Sequence, residues 1–179
     1  MLGSQPASVS DEFSRTTSKL LQQGAVGQYI AFRVGDGAFA FPIGQVREIV
    51  VLEHLTPLPQ VADCVRGLAN LRGRVIPVFD LRKLIDVPGN HRGRSGGADA
   101  PVRTIVVIVG DKTIGCDVDE VSRVLRIPDE SLQPPPETFI GSGRLPIRHL
   151  VRIHEQMIAI LDSAGWFGDP MLARLVQPD

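Results

Sequence analysis

The sequence predicts an all-β chain folded as two small barrels side by side, with a groove between them. Three observations carry this expectation: apolar residues alternate with period two over short stretches, glycine and proline turns separate those stretches, and one pattern occurs twice. Strands separated by amphipathic helices of about 10–15 residues would instead indicate a parallel βαβ sheet, and such stretches are missing here.

The first strand is marked by Ile30, Phe32 and Val34 alternating with Tyr29, Ala31 and Arg33. Gly35-Asp36-Gly37 then supplies a hairpin turn, since glycine takes positive φ cheaply. Phe39, Phe41 and Ile43 continue the alternation on the return strand. The apolar spacing then shifts to Val46, Ile49 and Val50, which predicts one helical turn and a further strand over roughly Glu48 to Leu52. The run Thr56 to Gln60 contains two prolines and is read as irregular. Val61, Val65 and Leu68 are spaced as a short helix, with Gly67 placed to cap its end. Gly73 makes the turn into a strand from Arg74 to Leu81, in which Pro77 indicates an edge or a bulge. Asp86 to Pro101 is a polar, Gly-rich loop and the expected boundary between subdomains.

After that loop the pattern returns. "VGDGAFAFPIGQVREIVVL" from Val34 aligns without a gap on "VGDKTIGCDVDEVSRVLRI" from Val109, an offset of 75 residues. Phe39 falls on Ile114, Phe41 on Cys116, Ile43 on Val118, Val46 on Val121, Ile49 on Val124 and Leu52 on Ile127. "VIPVFDL" resembles "MIAILDS" less tightly, with Asp80 on Asp162 at an offset of 82. A β unit of about sixty residues cannot hide both its faces and its edges, so each copy gains by curling up and packing on its twin.

Composition narrows the function. Among 179 residues 43% are hydrophobic and 22% charged, ordinary values for a packed domain. With 19 basic and 20 acidic residues the net charge is −1, and nothing steers the chain toward a polyanion or an anionic membrane. Cys64 and Cys116 form no CxxC pattern, so neither a disulfide framework nor a zinc site is expected, and a reducing compartment is. No run reaches the roughly 18 apolar residues of a membrane span. The N-terminal stretch lacks the basic start and apolar middle of a signal peptide. It reads as a flexible extension in which Phe13, Thr17, Leu20 and Leu21 make at most one or two amphipathic turns.

Catalytic and metal chemistry find little footing. His54, His91, His149 and His154 are not spaced as a metal pair, and no hydrolase, zincin or P-loop motif occurs. "GSGR" at Gly141 to Arg144 runs into Leu145-Pro146 rather than a helix, so it reads as a turn and not a phosphate loop. Asp117 and Asp119 lie at strand spacing; paired carboxylates can do acid–base work, but no positioned partner is visible. Arg92 and Arg94 read as solvated loop charges. No catalytic residue, cofactor or metal site is expected. Arg72, held between Leu71 and Gly73 on a short stiff link, presents a planar fork of donors, with Glu48 as its plausible partner.

The residues "VREIV", "VRGLANLRGRVIPVFDLRKL", "VGDKTIGCDVDEVSRVL" and "FIGSG … MIAILD" resemble the CheW family, the coupling proteins of bacterial chemosensory arrays. The resemblance runs from about Tyr29 to Asp162, in the family's order. It implies a CheW-like fold of two five-stranded SH3-like barrels and a non-catalytic adaptor, cytoplasmic at membrane-associated arrays. Members bridge the cytoplasmic hairpin tips of chemoreceptors to a CheA-type histidine kinase. They dock on the kinase's own CheW-like regulatory domain and alternate with it, or with other CheW-like subunits, in rings. Carried across by motif, the positions expected to line the receptor groove are Val46, Glu48, Ile49, Gly67, Asn70, Leu71 and Arg72. Gly73, Pro77 and Asp80 carry the motif's structural part. Neither nucleic acid nor insertion into the membrane is implied.

The expected organisation is an extension over 1–27, a CheW-like domain over 28–170 and a tail or short helix over 171–179. Within the domain, a first barrel covers about 28–87, a Gly-rich linker 88–101 and a second barrel about 102–164, with some exchange of elements. Gly165, Gly168 and Pro170 depart from the charged, helix-forming ending of many members. The alternative reading is therefore an adaptor of a non-flagellar pathway, such as one driving type IV pili. A small nucleic-acid-binding barrel is the remote one, disfavoured by 5% aromatic content and balanced charge.

Overall fold

Ten strands and two short helices form the regular structure of the residues described by the computed structural model, which are 25–85, 101–136 and 146–167 (side chains at 166 and 167 excepted). The extension up to residue 24, the Gly-rich stretch 86–100, the F-I-G-S-G segment and the chain after 167 lie outside them. The first copy of the pattern gives β1 (Val26–Val34), β2 (Gly37–Pro42), a 3-10 turn (Ile43–Gln45), β3 (Val46–Val50), β4 (Val65–Leu71), β5 (Arg74–Asp80) and α1 (Leu81–Ile85). The second gives β6 (Arg103–Val109), β7 (Lys112–Val118), β8 (Glu120–Pro128), a 3-10 turn (Asp129–Ser131), β9 (Ile147–Ile153), β10 (Gln156–Leu161) and α2 (Ser163–Phe167).

The strands form two five-stranded sheets, ordered β3-β6-β7-β5-β4 and β8-β1-β2-β10-β9. Each sheet thus takes its β-hairpin, β6-β7 or β1-β2, from the other copy. The boundaries at 87 and 102 follow the repeat, whereas the sheets interleave the two copies. Each sheet curls until the chain beyond its first edge strand meets its last strand, through the bridges Thr56 to Leu68 and Gln133 to Leu150. We call the results barrel 1, made of β3 to β7, and barrel 2, made of β1, β2 and β8 to β10.

Local chemistry explains the hairpins. Val34 pairs with Gly37 and Val109 with Lys112, leaving two-residue loops that begin at Gly35 (φ 58°) and Gly110 (φ 61°). A positive φ at the first loop position matches the right-handed twist of the flanking strands. At β4-β5 the loop is Arg72-Gly73, with φ of 51° and 83°, so both central residues are left-handed as a type I′ turn requires. Asn70 stitches this turn by accepting a hydrogen bond from the Gly73 amide at 2.9 Å. Asp80 accepts from the Arg82 amide at 3.0 Å and Asp162 from the Ala164 amide at 3.0 Å, so the repeated aspartate caps each short helix.

Alternation sorts the apolar residues into three cores. Ala69, Ile76, Val78 and Val106 fill barrel 1, while Tyr29, Ala31, Ala40, Leu125, Val151, Ile158 and Ile160 belong to the filling of barrel 2. The opposite faces of the same strands meet in a larger core between the barrels, built on Phe32, Phe39, Phe41, Phe79, Ile105, Ile114 and Cys116. The Phe32 and Phe41 rings stack there at 5.0 Å.

Four sequence expectations fail. The short helix through Val61, Val65 and Leu68 does not form, and Gly67 caps nothing: both fall in or beside strand β4. Val65, Gly67 and Ala69 are the buried, alternating set, and glycine concealed the alternation by having no side chain to count. Strand β3 runs Val46–Val50 rather than from Glu48 to Leu52, and Leu81 opens α1 instead of ending β5. Pro77 meets its expectation: β5 is central in order, but its first half has no partner on the β7 side, and a bulge of β4 between Val65 and Gly67 lies beside it. Leu68 opposite it spends its amide and carbonyl on Thr56, so the Pro77 nitrogen faces β7, whose pairing begins only at Val78.

Gly67 closes barrel 1. Its φ is 139°, and a Cβ there would lie 2.3 Å from the Thr56 carbonyl oxygen. Gly67→Ala is therefore expected to cost about 3 kcal/mol and lower the melting temperature by about 6–12 °C. A thermal midpoint within about 2 °C of the parent would show that this close approach does not hold the barrel shut.

Candidate functional site

The seven expected groove positions separate into three roles. Val46 pairs with Val107 and Ile49 with Ile105, whose side chains lie in the inter-barrel core, so both point to that side of β3. Val46 packs on the core, while Ile49 is 38% exposed beyond it, followed by exposed Val51. An apolar strip thus runs from the core out to solvent. A bulge between Val46 and Glu48 turns Glu48 to the other face, opposite Val106 of the barrel 1 core. Leu71 packs on that same core.

Arg72 reaches Glu48 from the β4-β5 turn, with Nη2 donating to Oε2 at 3.0 Å. The guanidinium is exposed, its side chain 81% accessible, whereas that of Glu48 is 18% accessible. The pair anticipated from sequence is present. Solvent screening limits its worth to stability to at most about 1 kcal/mol. Its two members nevertheless fix a cation and an anion on the barrel 1 side of β3, the face opposite the apolar strip. Gly67 and Asn70 serve the backbone, through barrel closure and the turn, and Asn70 is itself exposed.

The structural-motif residues Gly73, Pro77 and Asp80 are accounted for by the turn, the start of the β5-β7 ladder and the helix cap. The carboxylates considered for acid–base work are held by fixed partners. Asp117 accepts from Thr104 Oγ1 at 2.6 Å and lies 3.4 Å from Arg66 Nε. One Asp119 oxygen accepts from the Gly35 amide at 2.7 Å and the other from Arg82 Nε. This clamp ties α1 to the exchanged β1-β2 hairpin. At the pseudo-equivalent place, Gln45 donates to Asp162 at 3.2 Å and accepts from the Ser163 hydroxyl at 2.9 Å. Sequence reading missed both clamps, because they join residues 37 to 118 positions apart.

Among the described residues no cluster of three His, Cys, Asp or Glu side chains could hold a metal. Burial pushes the Cys116 thiol far above its ordinary pKa, and burial raises that of Cys64 as well. Two further residues were missed: Val75, 66% exposed, and Met157, 43% exposed, related by the offset of 82 that relates Asp80 to Asp162. Following the repeat through the later strands would have paired them.

Comparison with known proteins agrees with this geometry. The CheW-like domain matches residues 28–170. The chain is 33% identical over 153 residues to a probable chemotaxis protein CheW of Rhizobium etli, covering 84% of this chain and 93% of that one. It is 27% identical over 148 residues to the chemotaxis protein CheW of Treponema pallidum, covering 83% and 86%. The crystal structure of the scaffolding protein TtCheW from Thermoanaerobacter tengcongensis superposes with a TM-score of 0.70, at 24% identity, covering 82% of this chain and 96% of that one.

Asp119 and Arg82 are 8% and 19% exposed at their side chains, so removing the carboxylate takes a largely buried ion pair from the guanidinium and the acceptor from the Gly35 amide. Asp119→Ala is expected to cost about 3 kcal/mol, read as a lower urea midpoint. A loss under about 0.5 kcal/mol would mean that the clamp is not holding the hairpin.

Proposed function

The chain belongs to the CheW-like domain family, and we propose that as a chemotaxis coupling protein it bridges chemoreceptor hairpin tips to a CheA-type histidine kinase, without catalysis of its own. The observation that carries the receptor half is edge strand β3 itself, with the Arg72–Glu48 pair on its barrel 1 face and exposed Ile49 and Val51 on the other. A helical hairpin offers such a surface apolar ridges flanked by charged and amide side chains. The apolar strip would bury the ridge, and the rigid type I′ turn would hold the Arg72 fork ready for a carboxylate or carbonyl.

Contacts with the kinase's CheW-like regulatory domain, and with other CheW-like subunits in rings, are assigned to the barrel ends. Val75 and Met157 support this, since each barrel carries an exposed apolar residue at the equivalent strand position. A head-to-tail ring needs two different patches on one subunit, and a pseudo-symmetric pair on unlike sequences supplies them. Each contact is of transient size, below about 1,200 Å², so array avidity supplies the net hold. No described helix is long and apolar enough to cross a membrane. We place the protein in the cytoplasm, at membrane-associated receptor arrays.

Arg72→Glu is expected to weaken capture by a chemoreceptor cytoplasmic fragment by about tenfold, as charge reversal at a rim pair costs on the order of 1.4 kcal/mol. The fold should persist, shown by an unchanged circular dichroism spectrum and a melting temperature within about 3 °C. Unchanged capture would remove Arg72 from the receptor contact.

A further inference from the structure

The two barrels differ at one mouth, and the repeat shows how. In barrel 1 the chain's own side chains fill that place: Asp117 accepts from Thr104 and lies 3.4 Å from Arg66. At the offset of 75, Thr104 and Asp117 correspond to Tyr29 and Pro42, and both pairs face each other across equivalent hairpins. At the offset of 82, Arg66 and Gly67 correspond to Arg148 and His149. Each arginine is the unpaired residue of an equivalent bulge, between Val65 and Gly67 in β4 and between Ile147 and His149 in β9. Barrel 2 thus keeps the bulge and its arginine but lacks the carboxylate, because proline stands at that position.

A cavity of about 390 Å³ lies in this part of barrel 2, within the range of small-molecule sites. Pro42, Leu132 and Ile160 give it apolar walls, and Tyr29, Asp129, Arg148 and His149 give it polar ones. Barrel 1 is closed here by the Thr56 carbonyl lying against the bare Gly67. In barrel 2 a histidine replaces that glycine, and the closing residue is Gln133, two positions beyond the counterpart of Thr56.

The polar groups of the cavity are not engaged with one another. Arg148 has one acid near it, Asp162 at 3.9 Å, and Asp162 already accepts from Gln45 and the Ala164 amide. The side chains of Tyr29, His149 and Asp129 have no hydrogen-bond partner among the described residues. The Tyr29 ring is buried in barrel 2. Among the described residues no sealed polar side-chain atom lacks a partner, so its hydroxyl opens into the cavity. The phenol senses both charges there: burial and then Asp129 raise its pKa, while Arg148 lowers it.

We propose that the mouth of barrel 2 binds a small apolar monocarboxylate, whose carboxylate takes the place that Asp117 holds in barrel 1. It accepts there from the Arg148 fork and the Tyr29 hydroxyl, as Asp117 is held by Arg66 and Thr104. His149 adds a further polar contact, and Pro42, Leu132 and Ile160 cover the hydrocarbon body. Asp129 at the same cavity repels a second negative charge, which disfavours dicarboxylates. The second copy of the pattern carries the assignment, independently of what β3 binds.

Tyr29 is the only tyrosine of the chain, so labelling the tyrosine ring with carbon-13 gives one NMR signal, at the cavity. Titrating the full chain with 4-methylpentanoate is expected to move that signal saturably, with a Kd of about 1 mM. 4-Methylpentanamide, which has the same body and no charge, and succinate, which has two, are each expected to bind about tenfold more weakly. Arg148→Gln removes the fork and is expected to weaken 4-methylpentanoate about tenfold. Pro42→Asp supplies barrel 1's own carboxylate and is expected to abolish the response, with the circular dichroism spectrum of both variants unchanged. A signal that does not move, an equal response to the amide or to succinate, or indifference to both substitutions would overturn the proposal.

Discussion

The core between the barrels is the constraint on which the rest of the molecule depends. Phe32, Phe39, Phe41, Phe79, Ile105 and Ile114 come from five strands in two sheets and meet on the faces that the barrels do not use inside. A barrel of five short strands has too little interior to stabilise itself, so its outer face must also be buried. Exchanging the β1-β2 and β6-β7 hairpins accomplishes this, because each hairpin then belongs to one copy by chain and to the other by hydrogen bonding. The Asp119–Arg82 and Gln45–Ser163 clamps sit at the seams where chain and sheet part company.

That arrangement also sets what the surface can do. With one face of the central strands committed to the inter-barrel core, free apolar surface is left at the margins, where β3 and β8 run out past the core and at the barrel ends. Ile49, Val124, Val75 and Met157 are such margins. The duplicated scaffold places them in pairs, while the charges beside them differ between copies. One pseudo-symmetric frame therefore presents unlike binding faces, which suits a protein whose work is to hold different partners at once.

Much of this was legible in the residues. Alternation located β1, β2 and β7, and the gapless match between Val34 and Val109 related their hairpins, with positive φ at both Gly35 and Gly110. The offset of 82 even relates Arg72 to His154, both left-handed at their turns. The Arg72–Glu48 pair was legible because a stiff turn and a nearby strand leave few alternatives. Strand β4 was not, since Gly67 interrupts its apolar count and its role is fulfilled by Thr56, distant in sequence. Nor was the splitting of the groove residues: a single bulge after Val46 sends Glu48 to the barrel 1 side and Ile49 to the other. Bulges and long-range clamps leave no periodic trace in a sequence, and both decide how this site is built.

The central claim is that the two barrels stand or fall together through their shared core. Phe41 lies in the exchanged hairpin of barrel 2 and is fully buried against residues of both sheets. Truncating it to alanine removes about 3–5 kcal/mol of packing at that junction. Amide hydrogen exchange, followed strand by strand by mass spectrometry in Phe41→Ala, reads the outcome directly. The account predicts protection falling by the same factor in β3 to β7 as in the strands of barrel 2. Loss confined to β1, β2 and β8 to β10, with barrel 1 protected as in the parent, would contradict it.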